Sequence, residues 1–136
     1  MRVVLDSWAL LAWLQDEGKA ADSVDAYLSR AEAGHDEVFV SMINVGEVFY
    51  RLARARGMET ARGFLEDLRA MPITVLPTPK KLVVTAAELK ANHPIAYADA
   101  FAVAAALRQA AKLVTGDPEL KTLADKGVLP IDWLVR

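Results

Sequence analysis

The sequence predicts an α/β fold in which a parallel sheet is covered by helices on both faces. Short segments rich in β-branched residues alternate with longer segments of helical periodicity, which is typical of parallel strands joined by crossover helices. Glycine and proline separate these segments, and the sequence contains no repeat, linker or low-complexity tract. Its 136 residues match the length of one ordinary domain. We therefore expect residues 1–136 to form a single domain.

The first half of the chain predicts two strands and four helices. A buried strand leads directly into a helical stretch at the N-terminus. Further on, Val45, Val48 and Leu52 recur at helical spacing, and Gly57 ends that helix. The predicted elements are a strand at residues 2–5, helices at 7–15 and 20–33, a strand around 38–40, and helices at 44–56 and 59–70.

The second half continues the alternation, with prolines marking its loops. The predicted elements are a strand at residues 73–76, helices at 80–91 and 97–111, a strand at 112–115, a helix at 118–126 and a strand at 128–131. Open parallel sheets bind their ligands beyond the carboxyl ends of the strands. We therefore expect the functional residues to lie at those ends.

The composition excludes several classes of protein. Hydrophobic residues make up 54% of the sequence and charged residues 25%, which does not fit a disordered or fibrous chain. The absence of cysteine excludes disulfides, thiolate nucleophiles and zinc–sulfur sites, and it favours a cytoplasmic location. The net charge of −2 argues against nucleic-acid binding through bulk basicity, so any such binding must use a local patch.

The apolar content also bears on membranes and partners. The apolar run at residues 3–14 is too short to span a membrane, and Asp6 interrupts it. We expect neither a membrane segment nor a signal sequence there. The surplus of apolar residues instead predicts a surface that is covered by a second copy or by another protein.

Four acidic residues occupy positions that suggest chemistry. Asp99 is the only charged residue in a long stretch of alanine, valine and phenylalanine, where an unpaired carboxylate would be costly. Asp6 and Asp117 each follow a predicted strand. Glu47 lies on a predicted helix, one turn before Arg51.

Each of these acids also has a purely structural interpretation. Helix capping alone would account for Asp6, Asp99 or Asp117, and an exposed ion pair with Arg51 would account for Glu47. Together the acids are more informative, because carboxylates gathered without a cation repel by about 3 kcal/mol per pair at roughly 5 Å. Oxygen ligands without sulfur favour Mg²⁺ or Mn²⁺ over zinc. Such a cation activates water for attack on a phosphodiester.

The segments that carry these acids resemble the PIN-domain family, and specifically the VapC-type toxins of toxin–antitoxin pairs. They are VVLDSWALLAWL from Val3, SMINVGEVFYRL from Ser41, YADAFAVAAAL from Tyr97 and LVTGDPEL from Leu113. Their order and spacing cover nearly the whole chain. The resemblance implies a three-layer α/β/α sandwich whose central parallel sheet has strand order 3-2-1-4-5. It also implies a metal-dependent endoribonuclease with a cognate antitoxin.

By the same resemblance, Asp6, Glu47 and Asp99 match the family's core acids, and Asp117 matches a fourth acid whose role is more variable. Three polar residues match positions that support the site in the family, where they orient the ligands; these are Ser7, Asn44 and Thr115.

Two arginines are candidates for contacts with RNA phosphates. Arg51 and Arg54 share a helix face with Glu47, and a cation there would position a phosphate beside the metal site. An ordinary solvated helix face would explain the same two residues.

We therefore expect a Mg²⁺- or Mn²⁺-dependent ribonuclease that acts on single-stranded or loop RNA. A PIN-fold RNA-processing nuclease that is not a toxin, and a non-catalytic PIN-fold binding module, are the alternatives. A phosphatase with an aspartyl intermediate on Asp6 is less consistent, because such enzymes commonly carry a second aspartate two residues on, where this chain has Trp8. We also expect a homodimer, and an antitoxin interface on apolar helical surface that includes Trp8, Trp13 and the helix at residues 59–70.

Overall fold

The structure is a computed structural model that describes residues 1–135. Five parallel strands form one sheet in the order β3-β2-β1-β4-β5. The strands are β1 (Arg2–Leu5), β2 (Glu37–Ser41), β3 (Thr74–Leu76), β4 (Lys112–Thr115) and β5 (Ile131–Trp133). The predicted sheet and its strand order are confirmed.

Seven α-helices connect and cover the strands in the described chain. They are α1 (Ser7–Leu14), α2 (Gly18–Glu32), α3 (Met42–Arg56), α4 (Met58–Ala70), α5 (Lys80–Asn92), α6 (Tyr97–Gln109) and α7 (Lys121–Asp125), with a 3₁₀ turn at Pro118–Leu120 before α7. Within residues 1–135 no helix combines the length and the apolar character needed to cross a bilayer.

The alternation of side chains along the strands builds a core on each face of the sheet. In β1, Val3 and Leu5 pack with α1 and α2, whereas Val4 packs with α5 and α6 on the opposite face. In the same way Val40 of β2 packs with α3 and α4, and Phe39 packs with α6. Both faces of the parallel strands are therefore buried, which explains why the strands are continuous apolar runs.

Helix α6 is the most deeply buried helix of the described chain. It is rich in alanine, and it packs against α5, α3 and strands β1, β2 and β4. Small side chains let the helix axis approach the sheet closely, so the alanines serve packing as well as helix propensity. This placement explains why a single aspartate stands out in the sequence of α6.

The C-terminal elements differ from the prediction. The strand predicted at residues 128–131 is wrong, since β5 begins at Ile131. The Val128 N–H closes the end of α7 by binding the Leu123 carbonyl, and Pro130 has no N–H to contribute to a ladder. The helix predicted at 118–126 is a 3₁₀ turn followed by α7, and the one predicted at 97–111 ends at Gln109 because Ala110 is left-handed.

Candidate metal-binding cleft

A cleft of about 710 Å³ lies at the carboxyl edge of the sheet. Strands β1 and β4 are neighbours in the sheet, and successive strands are added outward from them in opposite directions. Open parallel sheets usually carry their binding site at such a switch point. The residues that line the cleft come from α1, α3, the start of α6 and the loop after β4. Four of them are acids: Glu47, Asp99, Asp117 and Glu119.

Asp6 lies directly after β1 and is completely buried. Its Oδ1 atom accepts a hydrogen bond of 2.8 Å from the Ala9 N–H, so Asp6 is the N-cap of α1, and its Oδ2 atom accepts one from the Thr115 hydroxyl. Burial raises the pKa of Asp6 from 3.8 to about 7, against the lowering effect of these two hydrogen bonds. Repulsion from Asp117 and Glu47 adds to the rise.

Asp99 lies in the first turn of α6 and is only 8% exposed. The N-cap of that helix is Ala96, so the capping interpretation of Asp99 is wrong. Burial, followed by repulsion from Asp117 and Asp6, raises the pKa of Asp99 to about 8. Interaction with the Glu119 carboxyl contributes to this rise, because two carboxyl groups can hydrogen-bond only when they share a proton.

The loop after β4 supplies Asp117 and a second acid that the sequence analysis missed. Asp117 caps the 3₁₀ turn, since its Oδ1 atom accepts a 3.0 Å hydrogen bond from the Glu119 N–H. One carboxylate oxygen from each of Asp99, Asp117 and Glu119 lies within 4.8 Å of the other two. Glu119 falls within the helix predicted at residues 118–126 and was given no role in the site; the signal that the sequence offers is its spacing of two residues from Asp117.

Glu47 approaches the cleft from α3. Its side chain is 16% exposed and accepts a 3.2 Å hydrogen bond from Arg51, one turn later. The ion pair with Arg51, which is the structural interpretation of Glu47, is therefore present. Glu47 nevertheless raises the pKa of Asp6, so it also lies within electrostatic reach of the buried acid.

The three predicted supporting residues form two hydrogen-bonded groups behind the acids. The buried Asn44 side chain donates to the Ser7 hydroxyl at 3.0 Å and to the Ala98 carbonyl at 3.2 Å, which ties α3 to α1 and α6. The Thr115 hydroxyl donates to Asp6 and accepts from the Asp117 N–H at 3.0 Å. Each group thus fixes the relative position of elements that carry different acids.

Arginines form one side of the cleft. Arg51 and Arg54, both predicted for phosphate contacts, line it together with Arg56. The Arg54 guanidinium lies 5.0 Å from the centre of the Tyr50 ring, in cation–π contact. Three arginines and four acids therefore line the same cleft in a protein whose net charge is −2.

The acids of the cleft could hold a divalent cation. The donors that they offer are all carboxylate oxygens, which suit hard cations, and the close set of Asp99, Asp117 and Glu119 is the kind of cluster that one ion can bridge. The raised pKa values of Asp6 and Asp99 indicate that protons relieve the repulsion at these two acids when no cation is bound. A bound cation would relieve it instead, so the donor set fits a metal.

Comparison with known families gives one match that spans most of the chain. A family model described as PIN domain matches residues 3–126. No curated protein matches the chain in sequence.

Several solved structures share the fold. A chain from the crystal structure of VapBC2 from Rickettsia felis, bound to a promoter DNA fragment, is similar with a TM-score of 0.74 and 16% identity over 99% of this chain and 100% of that one. VapBC-1 from nontypeable Haemophilus influenzae is similar with a TM-score of 0.72 and 20% identity over 98% of each chain. VapC20 from Mycobacterium tuberculosis, described as a toxin that cleaves the sarcin-ricin loop, is similar with a TM-score of 0.65 and 19% identity over 89% of this chain and 94% of that one.

Proposed function

Because this chain belongs to the PIN domain family, we propose that it is a ribonuclease that hydrolyses phosphodiester bonds of RNA with the help of Mg²⁺ or Mn²⁺. One observation carries the proposal. Acids from α3, α6 and the loop after β4 line a single cleft, the buried Asp6 lies within electrostatic reach of two of them, and the pKa values of Asp6 and Asp99 are raised to about 7 and about 8. Perturbed acids in a cleft are typical of catalytic sites.

In this proposal the cation is held by Asp6, Glu47, Asp99 and Asp117, and Glu119 is an additional ligand. When bound, the cation supplies an activated water and stabilises negative charge on the reacting phosphodiester. Thr115 and the first turn of α1 keep the Asp6 carboxylate in place through their hydrogen bonds. Arg51 pairs with Glu47 and would be available to a phosphate if Glu47 held the cation.

The proposed substrate is single-stranded or loop RNA, cut to leave a 5′-phosphate and a 3′-hydroxyl. Arg51 and Arg54, which line the cleft together with the acids, contact the phosphates. The mixed charge of the cleft suits this substrate, since the acids require the cation and the arginines attract the backbone.

The proposal includes a toxin role with a protein antitoxin. It is supported by the similar structures, which are named as VapBC assemblies and a VapC toxin. The antitoxin surface expected on Trp8, Trp13 and the helix at residues 59–70 stays a proposal; α4 buries part of its apolar face in the core formed with α3, and Trp8 and Trp13 are partly buried. Apolar side chains that are exposed on α3 and at the start of α4 are Met42, Tyr50 and Met58.

We also propose a homodimer, whose interface is separate from the antitoxin surface. The second pair of packed helices, α5 and α6, exposes three apolar side chains to solvent; these are Val84, Tyr97 and Leu107. A second copy that covered them would remove apolar area from water. A strictly monomeric sedimentation profile at high protein concentration would exclude this part of the proposal.

The nuclease function is tested with purified protein and a mixed pool of RNA oligonucleotides. We expect cleavage with Mg²⁺ or Mn²⁺, no cleavage with excess chelator, and recovery when metal is added back. Sequencing of the fragment ends identifies the cut site and the position of the phosphate. Binding of RNA without cleavage under all metal conditions would instead support a binding module.

The toxin role is tested separately by expression in cells. We expect induction of the wild-type chain alone to slow growth and depress translation, and co-expression of the adjacent small antitoxin to restore both. A folded and abundant wild-type chain that cuts RNA in vitro but leaves growth unchanged would identify an RNA-processing nuclease that is not a toxin.

A further inference from the structure

The cleft has an apolar wall that neither a cation nor a phosphate requires. It consists of Trp8, Leu11, Leu52 and Ala55, which come from α1 and α3. Carboxylates bind the cation and arginines bind phosphates, so an apolar surface in the same cleft points to a third chemical group. In a nucleotide that third group is the base, whose flat faces are apolar.

Trp8 is the aromatic residue of this wall, and the loop after β4 is shaped around its ring. A Cβ atom added to Gly116 would lie 2.3 Å from Cη2 and 2.4 Å from Cζ3 of the indole. The φ angle of Gly116 is not in the left-handed region, so the backbone itself would accept another residue. The glycine is therefore needed to let the ring approach, and the ring is held against the residue next to Asp117.

We propose that Trp8 is a base-stacking residue, on which one unpaired base next to the scissile phosphate lies. This inference rests on the proposed nuclease function and deepens it by naming a contact that selects the substrate. Aromatic side chains stack any exposed base but cannot reach a base inside a duplex. The ring is partly buried and also packs against the core around β1, which keeps it rigid. Trp8 therefore selects single-stranded RNA without reading its sequence.

The test crosses two protein variants with two RNAs. Wild type and Trp8→Leu are compared on an oligonucleotide that the wild type cuts and on the same oligonucleotide with an abasic nucleotide beside the cut site. Stacking predicts that Trp8→Leu lowers kcat/KM by about 5- to 150-fold on the intact RNA. It predicts little difference between the two proteins on the abasic RNA, because the base that would stack is gone. Equal losses on both RNAs would overturn the proposal and make Trp8 a packing residue.

Two further variants guard against a trivial loss of folding. Trp8→Phe keeps an aromatic face and should recover most of the activity on intact RNA. Gly116→Ala should lower kcat/KM in the wild type, where the new methyl displaces the ring, but not in the Trp8→Leu background. Mn²⁺ affinity, measured by calorimetry, should be the same in wild type and Trp8→Leu.

A fluorescence measurement separates this proposal from the nuclease assignment. In a Trp13→Phe, Trp133→Phe protein the fluorescence comes from Trp8 alone, and single-stranded RNA should quench it whereas duplex RNA should not. Quenching without cleavage would support base stacking on Trp8 and contradict the nuclease function. Cleavage by the wild type without quenching would support the nuclease function and contradict base stacking on Trp8.

Discussion

At the scale of single residues, Asp6 and Asp117 show that helix capping and metal ligation are compatible roles. Each accepts a hydrogen bond from a backbone N–H in the turn that follows it, as an N-cap does. Each also raises the pKa of the buried Asp99 through its charge. Capping orients a carboxylate at the end of a strand, and that position is the one that a cation beyond the sheet edge requires.

The first prediction tests metal ligation with Asp117→Asn, which keeps a capping side chain, and with Asp99→Asn, at a position that caps no helix. Asparagine caps a helix about as well as aspartate, so loss of charge is the main change. Without metal and at about pH 8.5, where Asp99 is largely ionised, each variant should be more stable than wild type by about 1 to 3 kcal/mol, because a repelling charge is removed. Added Mg²⁺ or Mn²⁺ should stabilise each variant less than it stabilises the wild type. Asp99→Asn should lose nearly all cleavage, and Asp117→Asn less.

Melting curves with and without metal, beside a cleavage assay on one RNA, measure these effects. The control is Asp22→Asn, which neutralises an exposed acid on α2, a helix that does not line the cleft. It should melt, respond to metal and cut like the wild type. If Asp99→Asn behaves in the same way, its carboxylate is structural and the metal assignment is wrong.

The second prediction concerns Thr115, whose hydroxyl binds both Asp6 and the Asp117 N–H. Thr115→Val keeps the shape but removes both hydrogen bonds from a buried site. We expect the free energy of unfolding to fall by about 1 to 3 kcal/mol, and metal affinity to fall because Asp6 loses its orientation. Thr115→Ser keeps the hydroxyl and should retain metal affinity. Equal metal affinity in the valine and serine variants would refute the orienting role.

At the scale of elements, the accuracy of the sequence prediction follows the hydrophobic pattern. Strands β1 and β4 were predicted with the bounds that the structure has, because they are short apolar runs buried on both faces. Strand β5 was misplaced because none of its three residues is fully buried, so it lacks that pattern. Glu119 was missed for a related reason. Its role depends on a turn that points it toward Asp99, and turn geometry leaves little trace in periodicity.

The third prediction concerns the end of α6, where Ala110 has a left-handed backbone with φ of 50°. A residue with a Cβ is strained in this conformation, and glycine is not. We expect Ala110→Gly to raise the free energy of unfolding by about 0.5 to 1 kcal/mol. The control is Ala33→Gly, at the end of α2, where the backbone is right-handed and glycine should lower stability. Chemical denaturation of both variants measures the difference, and a loss of stability in both would contradict the argument.

At the scale of the whole molecule, the fold concentrates uncompensated negative charge in one place. Outside the cleft, a buried acid has a basic partner, as in the ion pair of Asp36 with Arg30. In the cleft, by contrast, buried acids face one another, and only Glu47 has an arginine partner among the described residues.

The family membership is established by a match over residues 3–126. That residues 1–136 form a single domain, and that the protein is cytoplasmic, stay predictions.

This concentration of charge links stability, pH and metal binding. Asp6 and Asp99 have pKa values of about 7 and about 8 in the folded protein, against an ordinary value of 3.8. Between pH 3.8 and about pH 7 for Asp6, or about pH 8 for Asp99, the carboxyl group is protonated in the folded protein and ionised in the unfolded chain. The contribution of these acids to stability is therefore complete at low pH and is lost as the pH rises toward about 8.

The last prediction follows from this sign and is tested by melting curves at about pH 5 and about pH 8.5. Without metal, the wild type should lose stability relative to Asp99→Asn as the pH rises, because the variant has one fewer buried acid to ionise. The melting temperatures of the two proteins should move apart by at least about 3 °C. With Mn²⁺ the trend reverses for the wild type, since protons and cation compete for the same oxygens and the cation binds more tightly when the acids are ionised. Stabilisation by Mn²⁺ should consequently be small at the lower pH and large at the higher one. If wild type and Asp99→Asn show the same pH dependence with and without Mn²⁺, the buried acids neither titrate as proposed nor bind the cation.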